Sequence, residues 1–127
     1  MKINYTKIAT LSLSLLMMFG GVSHFIQPTF YDAFIPDTLP KLLINYLSGL
    51  VEFSLGVTLL LARYRYMSAV GILLLMFAFL PLHLIDVFKE HPAIGSKTLA
   101  YIRLPMQIVL IVWAWWVKQI VSIRDSS

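Results

Sequence analysis

Glu52 is the residue of this sequence that most clearly points to chemistry, because it is a carboxylic acid in the middle of a long apolar segment, 42–62. A charge at the centre of a membrane helix costs about 2.5–3.5 kcal/mol on insertion scales. The side chain is therefore expected to face a bundle interior, to pair with another group or to stay protonated. Ser48, Gly49 and Gly56 lie on the same helical face. Small residues let another helix approach closely, so Glu52 is predicted to point into a tight helix contact.

Arg103 is the predicted partner of Glu52, since it lies near the start of the last apolar segment. Gln107 follows one helical turn deeper on the same face and could bridge the two charged groups. Pro105 lies between them, so the helix either begins there or is kinked there. Two hypotheses stay open: the pair holds the bundle together, or it lines a proton path or a polar pocket.

Two histidines are expected at similar depth, because His24 ends the first apolar segment and His83 lies near the end of the third, just after Pro81. Two facing histidines in a four-helix bundle could ligate a haem iron. The alternative is that His24 joins the charged groups in one polar cluster. That predicted cluster comprises Glu52, Arg103, Gln107 and His24, with His83 and Ser48 as additional pocket candidates.

These residues belong to a strongly apolar chain of 127 residues, which is 59% hydrophobic and 13% charged. Soluble domains are nearer 45–50% apolar and about 25% charged, so lipid must cover much of the surface. Four stretches are long enough to cross a bilayer. They are residues 8–25, 42–62, 67–85 and 99–121. The sequence therefore predicts an all-α integral membrane four-helix bundle that forms a single domain over residues 1–127.

Several function classes are excluded by what the sequence lacks. There are no cysteines, which excludes thiolate metal sites and thiol redox chemistry. No phosphate-binding glycine loop, metal-ligand spacing or nucleophile–base pattern occurs, so we assign no catalytic and no metal residues. The net charge of +4 is scattered, so nucleic acid is not an expected partner. An enzymatic activity is not expected.

The basic residues predict the orientation in the membrane, because cytoplasmic loops are enriched in Lys and Arg. The side of the termini carries Lys2, Lys7, Arg63, Arg65, Lys118 and Arg124. The other side carries Lys41, Lys89, Lys97 and Arg103. Six against four predicts that both termini are cytoplasmic.

The segment 26–40 is unusual for an outer loop, because it combines helix-breaking prolines with apolar side chains. Pro28 and Pro36 alternate with aromatic residues that avoid water, such as Phe30 and Tyr31. We expect it to lie in the membrane interface, either as an anchor or as a lid over a cavity.

The first apolar segment has a second interpretation as a cleaved signal peptide. Lys2 and Lys7 precede the apolar residues 8–19, and Gly21-Val22-Ser23 is an acceptable cleavage site. The apolar run nevertheless continues to Ile26, and cleavage would leave three helices.

The order of these motifs resembles that of DoxX-like membrane proteins over residues 20–118. The motifs are Gly21-x-x-His24-Phe25, Pro28, Pro36-x-x-Leu39-Pro40, Ser48-Gly49-x-x-Glu52, Gly56, Leu60-Leu61 with Arg63 and Arg65, Pro81, and Arg103-Leu104-Pro105-x-Gln107. The resemblance implies a multi-pass protein of the bacterial inner (plasma) membrane, and some such proteins are associated with membrane redox complexes, including thiosulfate–quinone oxidoreductase subunits. Many of them have Asn after the proline where this chain has Leu82-His83.

Three functional hypotheses follow. The first is an accessory or redox-associated subunit with a polar pocket near the outer leaflet, whose partners are the lipid bilayer and membrane redox-complex proteins. The second is a small proton-coupled transporter that uses Glu52. The third is an oxidoreductase subunit that binds a quinone or a haem directly.

Overall fold

The computed structural model describes the backbone of residues 4–126 and the side chains of residues 4–122. Lys2 and the side chain of Arg124, both used in the orientation argument, lie outside this range. No strand occurs among the described residues. The four helices are α1 Tyr5–Ile26, α2 Lys41–Leu59, α3 Arg65–Val87 and α4 Lys97–Ser126. Each is long and apolar enough to cross a membrane, which confirms the prediction of four spanning helices.

The helix ends depend on local capping that the apolar pattern does not show. α1 begins at Tyr5 because the side chain of Asn4 accepts a hydrogen bond from the Lys7 backbone N–H at 3.1 Å. α2 ends at Leu59, earlier than predicted. The Arg65 guanidinium donates to the carbonyls of Leu59 and Leu60 at 2.9 and 2.8 Å, which satisfies free acceptors at this end.

The last helix does not begin at Pro105. Both Pro105 in α4 and Pro81 in α3 lie inside continuous helices. The alternative in which Pro105 occupies the first helical turn is therefore wrong.

The helices form two antiparallel pairs, α1 with α2 and α3 with α4. We call the end with both chain termini and the α2–α3 link the terminal side, and the opposite end the loop side. The terminal half of the bundle contains one apolar core. Its buried members are Ala9, Leu13, Met17, Leu59, Ala69, Ile72, Met76, Ala114, Val117 and Val121.

Two glycines hold α1 and α2 very close together. A Cβ on Gly49 would lie 2.7 Å from the carbonyl oxygen of Gly21. A Cβ on Gly56 would lie 2.8 Å from the carbonyl oxygen of Ser14, whose hydroxyl donates to the Gly56 carbonyl. The close helix approach predicted from Gly49 and Gly56 is therefore present, and it occurs between α1 and α2.

The segment between α1 and α2 folds back over the loop side in two short 3₁₀ turns, Pro28–Phe30 and Asp32–Phe34. The ring of Tyr31 stacks on His24, with their centroids 3.8 Å apart. The amide of Asn45 in α2 donates to this segment at 3.0 Å or less. The segment is therefore fixed to the helices beneath it.

Candidate functional site

A cavity of about 490 Å³ lies at the loop side of the bundle, with walls from all four helices and from the segment between α1 and α2. This volume is within the roughly 300–1,000 Å³ typical of sites for small organic ligands. Its polar lining residues are His24, Tyr31, Asn45, Ser48, Glu52 and Arg103. The remaining lining is mostly apolar, including Leu13, Met17 and Leu110. The cavity therefore combines a polar part with a larger apolar part.

Glu52 pairs with His24, and both side chains are buried. Oε1 of Glu52 lies 3.1 Å from Nε2 of His24. Gly20 provides room for the carboxylate, because a Cβ there would lie 2.7 Å from Oε2 of Glu52. The glycine contacts that join α1 to α2 also bring these two ionisable groups within hydrogen-bond distance.

Asn45 determines how His24 is protonated. The Asn45 amide nitrogen donates to the Pro28 carbonyl at 3.0 Å and to the Asp32 carboxylate at 2.9 Å. Its oxygen therefore faces Nδ1 of His24, 3.2 Å away, and Nδ1 must carry a proton and donate it. A second proton must lie between Nε2 and Glu52, since two lone pairs would otherwise face each other. His24 and Glu52 thus share one proton, and their pair has no net charge.

Arg103 lines the same cavity but does not pair with Glu52, so that part of the sequence prediction is wrong. Among the residues whose side chains are described, no carboxylate forms a salt bridge with Arg103. Its Nη1 atom is buried and has no hydrogen-bond partner within that part of the chain. The physical reason is the helix pairing: α1 is in tight contact with α2, so His24 rather than Arg103 lies within hydrogen-bond distance of Glu52.

Gln107 and His83 do not line the cavity, although the sequence analysis named both as candidates. Gln107 is fully buried, and its amide donates to the Met76 carbonyl of α3 at 2.7 Å. His83 packs edge-on against Phe34, with their ring centroids 5.6 Å apart. The structure thus brings together His24, Ser48, Glu52 and Arg103 of the predicted set.

Asn45 and Tyr31 are site residues that the sequence analysis missed. Asn45 carries a usable signal, because it is a polar residue seven positions before Glu52 and hence on the same helical face. Tyr31 has no comparable signal, since its place above His24 depends on how the non-helical segment folds. Asp86 was also overlooked; it is buried and accepts hydrogen bonds from the backbone N–H groups of Ala93 and Ile94, which fixes the α3–α4 loop.

The geometry does not favour haem ligation by the two histidines. Both ring nitrogens of His24 already have partners, and His83 does not line the cavity but packs against Phe34, which does. Within the described part of the chain, no three His, Cys, Asp or Glu side chains are placed to hold a metal ion. The cavity is better suited to an organic molecule.

Comparison with known proteins identifies a family but no characterised relative. Residues 13–118 match the family model of a domain of unknown function, DUF8561. No curated protein matches the chain, and no solved structure does. Because the matched segment spans most of the chain and includes every polar residue of the cavity, this protein belongs to the DUF8561 family.

Proposed function

We propose that this protein is a non-catalytic, membrane-embedded subunit that holds a small amphipathic molecule in the loop-side cavity. The observation that carries the proposal is the cavity itself, which has the size of a ligand site and both polar and apolar walls. A four-helix bundle of this size could fill its centre with side chains, as this one does on the terminal side. The loop-side cavity instead leaves room in the centre of the bundle for a small organic molecule.

We further propose the orientation in which both termini are cytoplasmic, in the bacterial inner membrane. By sequence, six basic residues belong to the side of the termini and four to the other side: Lys2, Lys7, Arg63, Arg65, Lys118 and Arg124 against Lys41, Lys89, Lys97 and Arg103. The positive-inside rule then puts the cavity near the outer leaflet, beneath the segment between α1 and α2.

An accessory role in a membrane redox system remains a prediction, and it rests on the resemblance to DoxX-like proteins, which the family match does not test. A quinone is one amphipathic molecule of suitable chemistry, because its ring carbonyls accept hydrogen bonds. Arg103 has a free donor in the cavity wall for such a carbonyl.

The test is mass spectrometry of small molecules that co-purify with the protein from native membranes in mild detergent. We expect one amphipathic species at a fixed ratio to the protein. The variant Ala78→Trp, which places an indole in the cavity wall, should remove that species. The variant Phe77→Trp is the matched control, because Phe77 is 51% exposed and does not line the cavity. Equal retention by both variants, or bulk lipid only in the wild type, would contradict the proposal.

A second candidate function is proton-coupled transport, favoured by the proton that His24 and Glu52 share. Hydrogen bonds continue from this pair through Asn45 to Asp32 in the loop-side segment. A change in the protonation of Glu52 could therefore alter the hydrogen bonds that reach the loop-side segment. Glu52→Gln should abolish proton-coupled flux of the co-purified molecule across liposomes while the protein still folds; unchanged flux would remove this candidate.

A further inference from the structure

Arg103 is the one charged group in the cavity wall that has neither a carboxylate nor a proton-sharing partner among the described side chains. An arginine stays protonated in proteins, so its charge is permanent. An unpaired charge in a low-dielectric site is costly and is normally offset by a counter-charge or by several hydrogen bonds. Arg103 is half-buried, and its buried Nη1 donor has no acceptor among the described side chains.

The other ionisable pair in the wall does not cancel this charge. Because His24 and Glu52 share one proton, they are neutral as a pair. Tyr31 and Ser48 contribute hydroxyl groups, and Asn45 contributes an amide. The cavity lining thus has a net positive charge from Arg103, which favours an anionic molecule.

The cavity is polar near the loop side and apolar at depth. Leu13 lines its deep part and lies eleven residues before His24, which places the two about 16 Å apart along the helix axis. Met17 and Leu110 line the same deep region. A cavity with an apolar part of this depth and a charge at one end fits a hydrocarbon chain with a polar head.

We infer that the molecule held in the cavity is a single-chain amphiphile with an anionic oxygen head group, a carboxylate or a phosphate. Its head binds the guanidinium of Arg103, and its chain extends toward Leu13 and Leu110. The planar donor fork of arginine matches the oxygens of both head groups. The inference rests on the proposed function, because it specifies the ligand of the same cavity.

The test uses the full chain in nanodiscs of zwitterionic phosphatidylcholine, with binding measured by equilibrium dialysis of labelled probes. Laurate and dodecyl phosphate carry the anionic head and one chain. Dodecanol has the chain without the charge, and acetate and inorganic phosphate have the charge without the chain. We expect laurate or dodecyl phosphate to bind at least about tenfold more tightly than dodecanol, as a charge-assisted hydrogen bond implies.

The variant Arg103→Gln should weaken binding of the anionic probes about 10- to 100-fold and leave dodecanol nearly unchanged. Arg63→Gln is the matched control, because Arg63 is exposed on the terminal side, and it should change neither. Arg103→Lys retains the charge and should keep most of the preference. Arg103→Gln should also leave the thermal stability of the empty protein equal or higher, since it removes an unpaired charge; a lower stability would show a structural role instead.

The results separate this inference from the proposed function. Equal binding of laurate, dodecyl phosphate and dodecanol, each abolished by Ala78→Trp, would overturn the anionic head group and leave the binding function intact. Competition by acetate or inorganic phosphate as strong as by the long-chain probes would overturn the amphiphile and point to a free anion. No binding of any probe, together with no co-purifying molecule, would overturn both.

Discussion

The two halves of this bundle are made from the same four helices but bury different kinds of side chain. The terminal half packs apolar side chains into a core, and its buried hydroxyl groups donate to backbone carbonyls, as when Thr10 donates to the Thr6 carbonyl at 2.9 Å and Ser14 to the Gly56 carbonyl. The loop half buries ionisable and amide groups instead, including His24, Asn45 and Glu52. These groups bond to one another across helices and line the cavity.

The difference indicates that the two halves have different roles. An apolar core specifies helix packing through close contact, which in lipid is the main source of attraction between helices. A buried polar network with an unpartnered cation adds little to that packing and is costly without a ligand. Stability should therefore depend mainly on the terminal half, and binding on the loop half.

The largest expected effect comes from removing a large side chain in the terminal half. Ile72→Ala should lower the free energy of unfolding by about 2–5 kcal/mol, because Ile72 is 0% exposed and leaves a cavity in the core. Leu82→Ala on the same helix should cost less than about 1 kcal/mol, since Leu82 is 39% exposed in the cavity wall. Unfolding titrations in mixed micelles measure both, and equal losses would contradict the division between halves.

A smaller effect is expected from two neighbouring glycines on α1. A Cβ on Gly21 would lie 2.6 Å from the Phe53 backbone nitrogen, so Gly21→Ala must move a helix and should cost about 1–3 kcal/mol. A Cβ on Gly20 meets the end of the flexible Glu52 side chain, so Gly20→Ala should cost less than about 1 kcal/mol. The same unfolding titration compares the two variants. Laurate binding should weaken in Gly20→Ala, because Gly20 lines the cavity. If Gly20→Ala were the more destabilising variant, the polar contacts around Glu52 would contribute more to the free energy of unfolding than we expect.

The smallest effect is expected at Asp37, which lies in the segment over the cavity and is exposed. Its carboxylate pairs with Lys41 at 2.9 Å, and the hydrogen bond and charge of Lys41 lower the pKa of Asp37 below its usual 3.8. A lowered folded-state pKa adds stability above pH 3.8, and this is lost as the pH falls through the lower folded value. Asp37→Asn should thus be nearly neutral at pH 7, because exposed ion pairs contribute little.

Thermal unfolding of wild type and Asp37→Asn between pH 3 and pH 7 tests this expectation. The two proteins should converge at the acidic end. A large difference at neutral pH would mean that the segment over the cavity contributes to stability through this ion pair.

The sequence was sufficient for the helices but only partly for the site. The four spans and the interior position of Glu52 follow from apolar length and helical spacing, both of which are local properties. The partner of Glu52 is different, because His24 and Arg103 were both suitable in charge and depth. Asn45 could have been found from its spacing to Glu52, whereas Tyr31 could not.

By itself, the sequence determined that this chain has four helices long and apolar enough to cross a membrane and that Glu52 must be buried, because hydrocarbon accepts apolar helices and rejects charge. Only the tertiary structure decided that His24 reaches Glu52 and that Arg103 is left facing a cavity. The reason is distance: Gly21 and Gly49 remove the side chains that would separate α1 from α2, and no such contact draws α4 toward Glu52.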